Sequence, residues 1–191
     1  MNKRNLLLTA MTVAAGLATL SGCTTNVGAT ASPAEQKAEI NRGVDSTLAT
    51  LYSSVKGSRE LASKAAGILV FPKIYAAGLG IGGEYGEGAL QVDLRPVDYY
   101  KATGVSIGWQ AGAQSKALVF MFMTKDALDK FRKSSGWTAG ADATVAVVKV
   151  GAQGTIDTAS AGQSVNAFAL TNAGLMAGIT VDGTKISKLE P

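Results

Sequence analysis

Histidine is absent from this chain of 191 residues, and cysteine occurs once, as Cys23. Those two facts exclude imidazole acid–base catalysis, Ser-His-Asp and Cys-His pairs, and zinc held by histidine or by paired cysteines. A disulfide within the chain is excluded as well. Aromatic residues make up only 6% and charged residues 17%, against 47% hydrophobic. That balance predicts one globular domain with a sizeable core rather than a disordered chain. The formal charge is +4, and Lys3 and Arg4 fall in a segment expected to be removed. The remaining basic excess is too small and too scattered for a nucleic-acid surface, which needs clustered cations to displace counterions from phosphates.

What is present begins with an address. Met1 to Arg4 form a short basic start, and Leu6 to Leu20 form an apolar run shorter than the roughly 20 residues that span a bilayer. A basic start, an apolar middle and small residues behind it predict a signal peptide over residues 1–22. Leu20-Ser21-Gly22-Cys23 resembles the lipobox of bacterial lipoproteins, so Cys23 is the expected lipidation site and new N-terminus. Acylation uses up a thiol that has no partner, and two or more acyl chains hold a protein stably where one does not. Thr24 after the cysteine implies, by the same resemblance and for a bacterium with two membranes, an outer-membrane destination. Residues 23–33 are small, polar and aperiodic, as a tether is, which leaves residues 34–191 as the domain.

Within the domain, Ser32-Pro33-Ala34-Glu35 is a helix start: a capping serine, a proline in the first turn and an early acid. Ile40, Val44, Leu48, Leu51 and Val55 then recur at helical spacing and predict a helix closing near Gly57. Ser58 is the expected cap of a shorter helix through Ala66. From Gly67 the period becomes two and glycine becomes dense. Ile68 to Phe71 reads as a strand stopped by Pro72, Ala77 to Ile81 as a second, and Leu90, Val92 and Leu94 as one face of a third. Val105 to Ala113 and Ala117 to Met123 read as a hairpin turning at Gln114-Ser115, with the second strand central because it is apolar on both sides. Thr124 is the expected cap of a helix to about Ser135. Strands over Thr144 to Lys149, Val165 to Thr171 and Leu175 to Val181 follow, with a turn at Asp182-Gly183. The predicted class is α+β: a mostly antiparallel, glycine-rich twisted sheet with about three helices packed on it.

Several motifs carry chemistry on paper. Gly78 to Gly83 satisfies G-x-G-x-x-G, but a dinucleotide site needs a helix next, and Glu84-Tyr85-Gly86-Glu87-Gly88 is a poor helix with negative charge where phosphate would sit. A sharply bent or bulged strand pair, or close approach of another element to a face bare of side chains, accounts better for these glycines. Glu84 and Glu87 are paired carboxylates of the kind glycoside hydrolysis uses, which keeps a glycan-acting hydrolase as an alternative. Asp126 and Asp129 read as local ion-pair partners of lysines on their own helix. The cations Lys73, Lys116, Lys130, Arg132 and Lys133 are the candidates for contact with anionic phospholipid headgroups, each contributing on the order of 1 kcal/mol near an anionic surface. No catalytic residue, metal ligand or cofactor is expected.

Gly67-Ile68-Leu69-Val70-Phe71-Pro72-Lys73, the stretch Gly78 to Gly88, Gly112-Ala113-Gln114-Ser115 and Phe122-Met123-Thr124 resemble, in order, the signature blocks of the SYLF domain. Trp137 to Ala141, Ala167-Phe168, and Gly174 to Gly178 with Gly183 extend the resemblance over roughly Val44 to Lys188. It implies a lipid-binding module, since eukaryotic SYLF domains bind phosphoinositides and some engage actin. The sequence departs from that pattern where the eukaryotic lipid contact lies: an amphipathic opening segment is replaced by a signal peptide, a tether and an ordinary helix. Phosphoinositides are not general bacterial lipids, so the headgroup does not carry over. The expectation is a non-enzymatic lipoprotein, anchored to the outer membrane through Cys23, whose SYLF-like domain binds anionic phospholipid. A structural, partner-binding envelope protein is a further alternative.

Overall fold

The computed structural model describes residues 32–108, 114–149, 155–156, 162–171, 174–175 and 180–189. One compact unit covers Ala31–Pro191. Its described elements are α1 (Pro33–Ser54), α2 (Ser58–Lys64), β1 (Gly67–Val92), β2 (Arg95–Gly108), β3 (Gln114–Phe122), α3 (Lys125–Lys133), β4 (Trp137–Thr138), β5 (Val145–Val147), β6 (Val165–Thr171), β7 (Gly174–Leu175) and β8 (Lys185–Lys188). The predicted α+β class and mostly antiparallel sheet are therefore observed. The expected signal segment, Cys23 and the expected tether up to residue 31 lie outside the described residues, as do Trp109 to Ala113.

The strands form one sheet in the order β4-β8-β2-β1-β3-β6-β5, with β7 on β6. All described pairings between these strands are antiparallel except β5 with β6. β1 organises the sheet. Its first part pairs with β3, from Gly67↔Phe122 to Ala76↔Gln114, and its second part with β2, from Gly80↔Gly108 to Val92↔Arg95. The strand also curls against itself. A Cβ at Gly86 would stand 2.5 Å from the Lys73 carbonyl oxygen and 2.6 Å from Ile74 Cγ1, and one at Gly88 would collide with the Val70 carbonyl oxygen. The approaching element expected from the bare glycine face is thus the first half of the same strand, and only glycine admits backbone this close.

Alternation along the strands sends side chains to two cores. Val119 and Met121 join Val70, Ala89 and the α1 stripe Ile40, Val44, Leu48 and Leu51. Leu118, Phe120 and Phe122 join Leu69, Phe71, Ile74, Leu90 and Tyr100 on the other face, closed by Leu128 and Phe131 of α3 and by Trp137. There Phe120, Phe122, Phe131 and Trp137 stack at centroid distances of 4.8 to 6.3 Å, each such pair adding about 1 kcal/mol beyond its buried area. β3, with β1 on one side and β6 on the other, is the central strand its apolar sequence predicts.

Helix starts follow the sequence signals. Ser32 and Glu35 form a reciprocal capping box on α1 with Pro33 in the first turn, and Thr124 caps α3 by accepting from Ala127 N–H at 3.2 Å. Ser58 is a correction: Gly57 occupies the cap of α2, and the buried Ser58 hydroxyl instead donates to the Val55 carbonyl at 2.6 Å. The same carbonyl, just past the end of α1, also accepts from the Ser58 backbone N–H at 3.2 Å.

The strand boundaries need larger corrections. Pro72 does not stop β1, because the β1–β3 register shifts between Phe71 and Ile74, and this irregularity removes Pro72 and Lys73 from the ladder. A proline without an amide proton is tolerated at such a bulge. Leu94 is not on a strand face. With Asp93 it forms a two-residue hairpin turn, φ 51° and 62°, between Val92 and Arg95. Among the described residues the expected hairpin of Val105–Ala113 with Ala117–Met123 is not a pairing, since β3 takes β1 and β6 as neighbours while β2, described to Gly108, takes β1 and β8. β2 begins ten residues before the predicted strand, at Arg95, and β8 was not anticipated. The turn at Asp182-Gly183 is present, with Gly183 at φ 83°.

Candidate functional site

The cations expected to act together are divided between two faces of the sheet. Lys73 lies on the side covered by α1, whereas Lys116, the register partner of Ile74, sends its side chain to the opposite face, where it meets Glu84, and Lys130, Arg132 and Lys133 belong to α3, whose Leu128 and Phe131 enter the core of that opposite face. A single five-cation surface does not form.

On the α1 side a cleft of about 340 Å³ opens between four elements. Helical spacing brings Gly43, Ser46, Thr47 and Thr50 of α1 to its rim, beside the buried stripe. The bulge in β1 supplies Pro72 and Lys73, β3 supplies Ser115, Lys116 and Ala117, and β6 supplies Leu170 and Thr171. Gly43 makes the junction close: a Cβ there would stand 2.8 Å from the Pro72 ring. Five hydroxyl groups and the Lys73 ammonium therefore share one concavity. The Thr50 hydroxyl donates to the Ser46 carbonyl at 3.0 Å, which leaves its oxygen as an acceptor.

Lys116 contributes to the wall in a different way. Its Nζ lies 2.8 Å from Glu84 Oε1, and both side chains are largely withdrawn from solvent. Lys73 is exposed, and no carboxylate among the described residues lies within ion-pair distance of it. The cleft thus carries one uncompensated cation beside the hydroxyl groups of Ser46, Thr47 and Ser115, a chemistry suited to a phosphate ester or another oxyanion.

Glu84 and Glu87 do not share a cleft. Residues three apart on a strand face opposite sides, and each carboxylate has its own partners. Glu84 takes Lys116, while Glu87 accepts from the Tyr85 hydroxyl at 2.7 Å and from Gln36 Nε2 of α1 at 2.8 Å. Burial, and then the hydrogen bond and charge of Glu87, push the Tyr85 hydroxyl up to about 12. The G-x-G-x-x-G stretch runs through the middle of β1 with no helix after it, so the amide cradle of a dinucleotide site is not formed there.

On α3, Lys130 pairs with Asp126 one turn away at 2.9 Å, as its spacing predicts. Asp98 of β2 stands 3.6 Å from both Arg132 and Lys188. Beneath them the Tyr100 hydroxyl is buried without a hydrogen-bond partner, and burial together with the Asp98 charge pushes it up to about 12. Among the described residues no group of three or more potential ligands could hold a metal ion, and no helix is long and apolar enough to cross a membrane.

Sequence reasoning identified Lys73 but not the hydroxyls around it. Those come from α1, β3 and β6, with Ser46 and Thr171 about 125 residues apart, and only the fold assembles them.

Residues 103–190, from the end of β2 through β8, match the model of a protein family described as "Ysc84: Las17-binding protein actin regulator". No curated protein matches the chain. The match is consistent with the resemblance to SYLF domains and covers its later blocks, from Gly112-Ala113-Gln114-Ser115 to Gly183, while Gly67 to Lys73 and Gly78 to Gly88 lie before the matched residues.

Proposed function

We propose that this chain, with its SYLF-type domain, is a non-enzymatic lipoprotein whose domain binds anionic phospholipid headgroups in the cleft around Lys73. The SYLF family is consistent with lipid-binding or actin-regulatory roles, and the cleft chemistry favours the first. One observation carries the reading: an exposed ammonium with no carboxylate partner, placed among the hydroxyls of Ser46, Thr47, Thr50, Ser115 and Thr171. A phosphodiester supplies the missing negative charge, and acceptors for the hydroxyls of Ser46, Thr47 and Ser115. Acylation at Cys23 holds the domain at an outer membrane, where even weak headgroup affinity acts at high local concentration. Lys130, Arg132 and Lys133 form a separate basic patch that adds long-range attraction to an anionic surface, reduced by salt.

The test is flotation of the chain beginning at Thr24 with phosphatidylglycerol or phosphatidylcholine vesicles, at low and moderate salt. Salt-sensitive binding to the anionic vesicles alone is expected. Lys73→Glu abolishes most of it, and reversing Lys130 and Lys133 together weakens it less. Equal binding by Lys73→Glu and the parent chain removes the cleft from the site.

A further inference from the structure

The face of the sheet that α1 covers is left bare at one end. Tyr75, Tyr85 and Val105 are exposed there by 55%, 44% and 72%, as large apolar side chains seldom are in groups. Tyr85 lies opposite Thr103 and Val105 opposite Gly83, so Tyr85 and Val105 are diagonal neighbours on one face of the β1–β2 pair. Tyr75 and Tyr85 each stand five residues from Gly80, where β1 passes from β3 to β2. A Cβ built at Gly83 meets nothing within 4 Å, so among the described residues nothing stands over this position.

Two features identify what covers it. The first is where the chain enters. Gln36, in the first turn of α1, reaches the same Glu87 carboxylate that accepts from Tyr85. α1 therefore begins beside the ledge, and the nine residues between Cys23 and Pro33 can span at most about 30 Å. The second is charge. Lys73 precedes Tyr75 by two residues, and Ser115, the register partner of Tyr75, lines the Lys73 cleft. An apolar ledge rimmed by tyrosine hydroxyls, with a lysine behind it, matches the layering of a bilayer interface.

We infer that the Tyr75–Tyr85–Val105 ledge is the membrane-docking surface of the domain, seated in the interface of the same leaflet that holds the Cys23 acyl chains. The inference rests on the lipoprotein reading above. Docking there turns the Lys73 cleft toward the headgroups and holds Leu94, at the far turn of the β1–β2 hairpin, away from the membrane.

Hydroxyl-radical footprinting tests this on the acylated protein in phosphatidylethanolamine and phosphatidylglycerol vesicles, compared with the chain from Thr24 in solution. Modification of Tyr75 and Tyr85 falls severalfold in vesicles, while Leu94 remains as reactive as before. Tyr75→Asp combined with Val105→Asp, at two exposed positions, restores modification of Tyr85 without releasing the anchored protein. Unchanged Tyr75 and Tyr85 in an acylated protein that floats overturns the ledge and leaves the anchor standing. Absence of lipid mass on the Cys23 peptide overturns the anchor and the inference built on it. Protection of both tyrosines in lipid-free solution as concentration rises assigns the ledge to a second copy of the chain instead.

Discussion

Lys116 Nζ lies 2.8 Å from Glu84 Oε1, and the two side chains are only 17% and 13% exposed. The pair joins β3 to the second half of β1, two segments that are not hydrogen-bonded neighbours at those positions. It therefore fastens the curl of the sheet. Breaking such a pair costs more than making it gains, because the survivor remains withdrawn from water without a partner. Lys116→Ala is expected to destabilise the fold by about 2 kcal/mol. Lys116→Met with Glu84→Leu restores most of that loss, as read from urea unfolding midpoints. Equal loss in the single and double variants would show that the pair does not couple the strands.

Gly88 and Gly83 stand five residues apart in β1 and should respond oppositely to alanine. A methyl group at Gly88 meets the Val70 carbonyl oxygen and lies 2.7 Å from Phe71 Cδ1, within a rigid core, whereas one at Gly83 meets nothing. Gly88→Ala is expected to cost about 3 kcal/mol through overpacking. Gly83→Ala is neutral or stabilising by about 0.5 kcal/mol, since it restricts the unfolded chain. Thermal unfolding of both variants decides the matter.

Leu94 is strained in a way glycine relieves. It sits at φ 62° and follows Asp93 at φ 51°, in a two-residue turn whose second central position is ordinarily glycine. Its side chain is 82% exposed, so little packing is lost by removing it. Leu94→Gly is expected to stabilise the protein by about 1 kcal/mol. A lower unfolding midpoint in that variant would mean that the exposed leucine has a packing role in the folded state.

The same turn shows where the sequence was hard to read. The helices were legible because their apolar spacing and caps agree with the fold: Ile40, Val44, Leu48 and Leu51 are all buried. β3 was legible from its unbroken apolar run. The β1–β2 hairpin was not, because Asp93-Leu94 lacks the glycine that marks such a turn and Arg95 to Gly104 is too polar to read as a strand. Pro72 misled for a related reason: a bulge absorbs it, and a bulge depends on the partner strand. Of the candidate site, Lys73 was legible as a cation beside an apolar strand. Its separation from Lys130, Arg132 and Lys133 depends on which face each element covers, and no local pattern carries that information.

The capping box makes a pH-dependent contribution at the start of α1. The Ser32 backbone N–H and then its hydroxyl hold Glu35 below its ordinary value of 4.5. A carboxyl with a depressed folded-state pKa favours the folded form above its unfolded value, and that contribution fades as pH falls through the folded value. Ser32→Ala removes the hydroxyl contribution but keeps the backbone one, so Glu35 should titrate closer to 4.5. Carboxyl NMR titration checks the shift, and faster amide exchange in the first turn of α1 checks the lost cap.

Tyr85 tests the junction between α1 and the exposed ledge at the other end of the pH scale. Its hydroxyl donates to Glu87 Oε1 at 2.7 Å while Gln36 of α1 donates to Oε2 at 2.8 Å. Burial, followed by the hydrogen bond and charge of Glu87, raises the phenol from its ordinary 10.0 to about 12. The folded state therefore holds this proton more tightly than the unfolded chain. The resulting stabilisation is complete below pH 10.0 and is lost as pH rises through about 12. Glu87→Gln removes the charge and weakens the acceptor, so Tyr85 should titrate nearer to 10.0, read by NMR of ring-labelled tyrosine with Tyr85→Phe for assignment. Tyr100, raised to about 12 by burial with Asp98 rather than Glu87 as its nearby carboxylate, should not move. A Glu87→Gln variant in which both tyrosines shift together would indicate a general loosening of the sheet, whereas a shift of Tyr85 alone places the coupling at the carboxylate it shares with the first turn of α1.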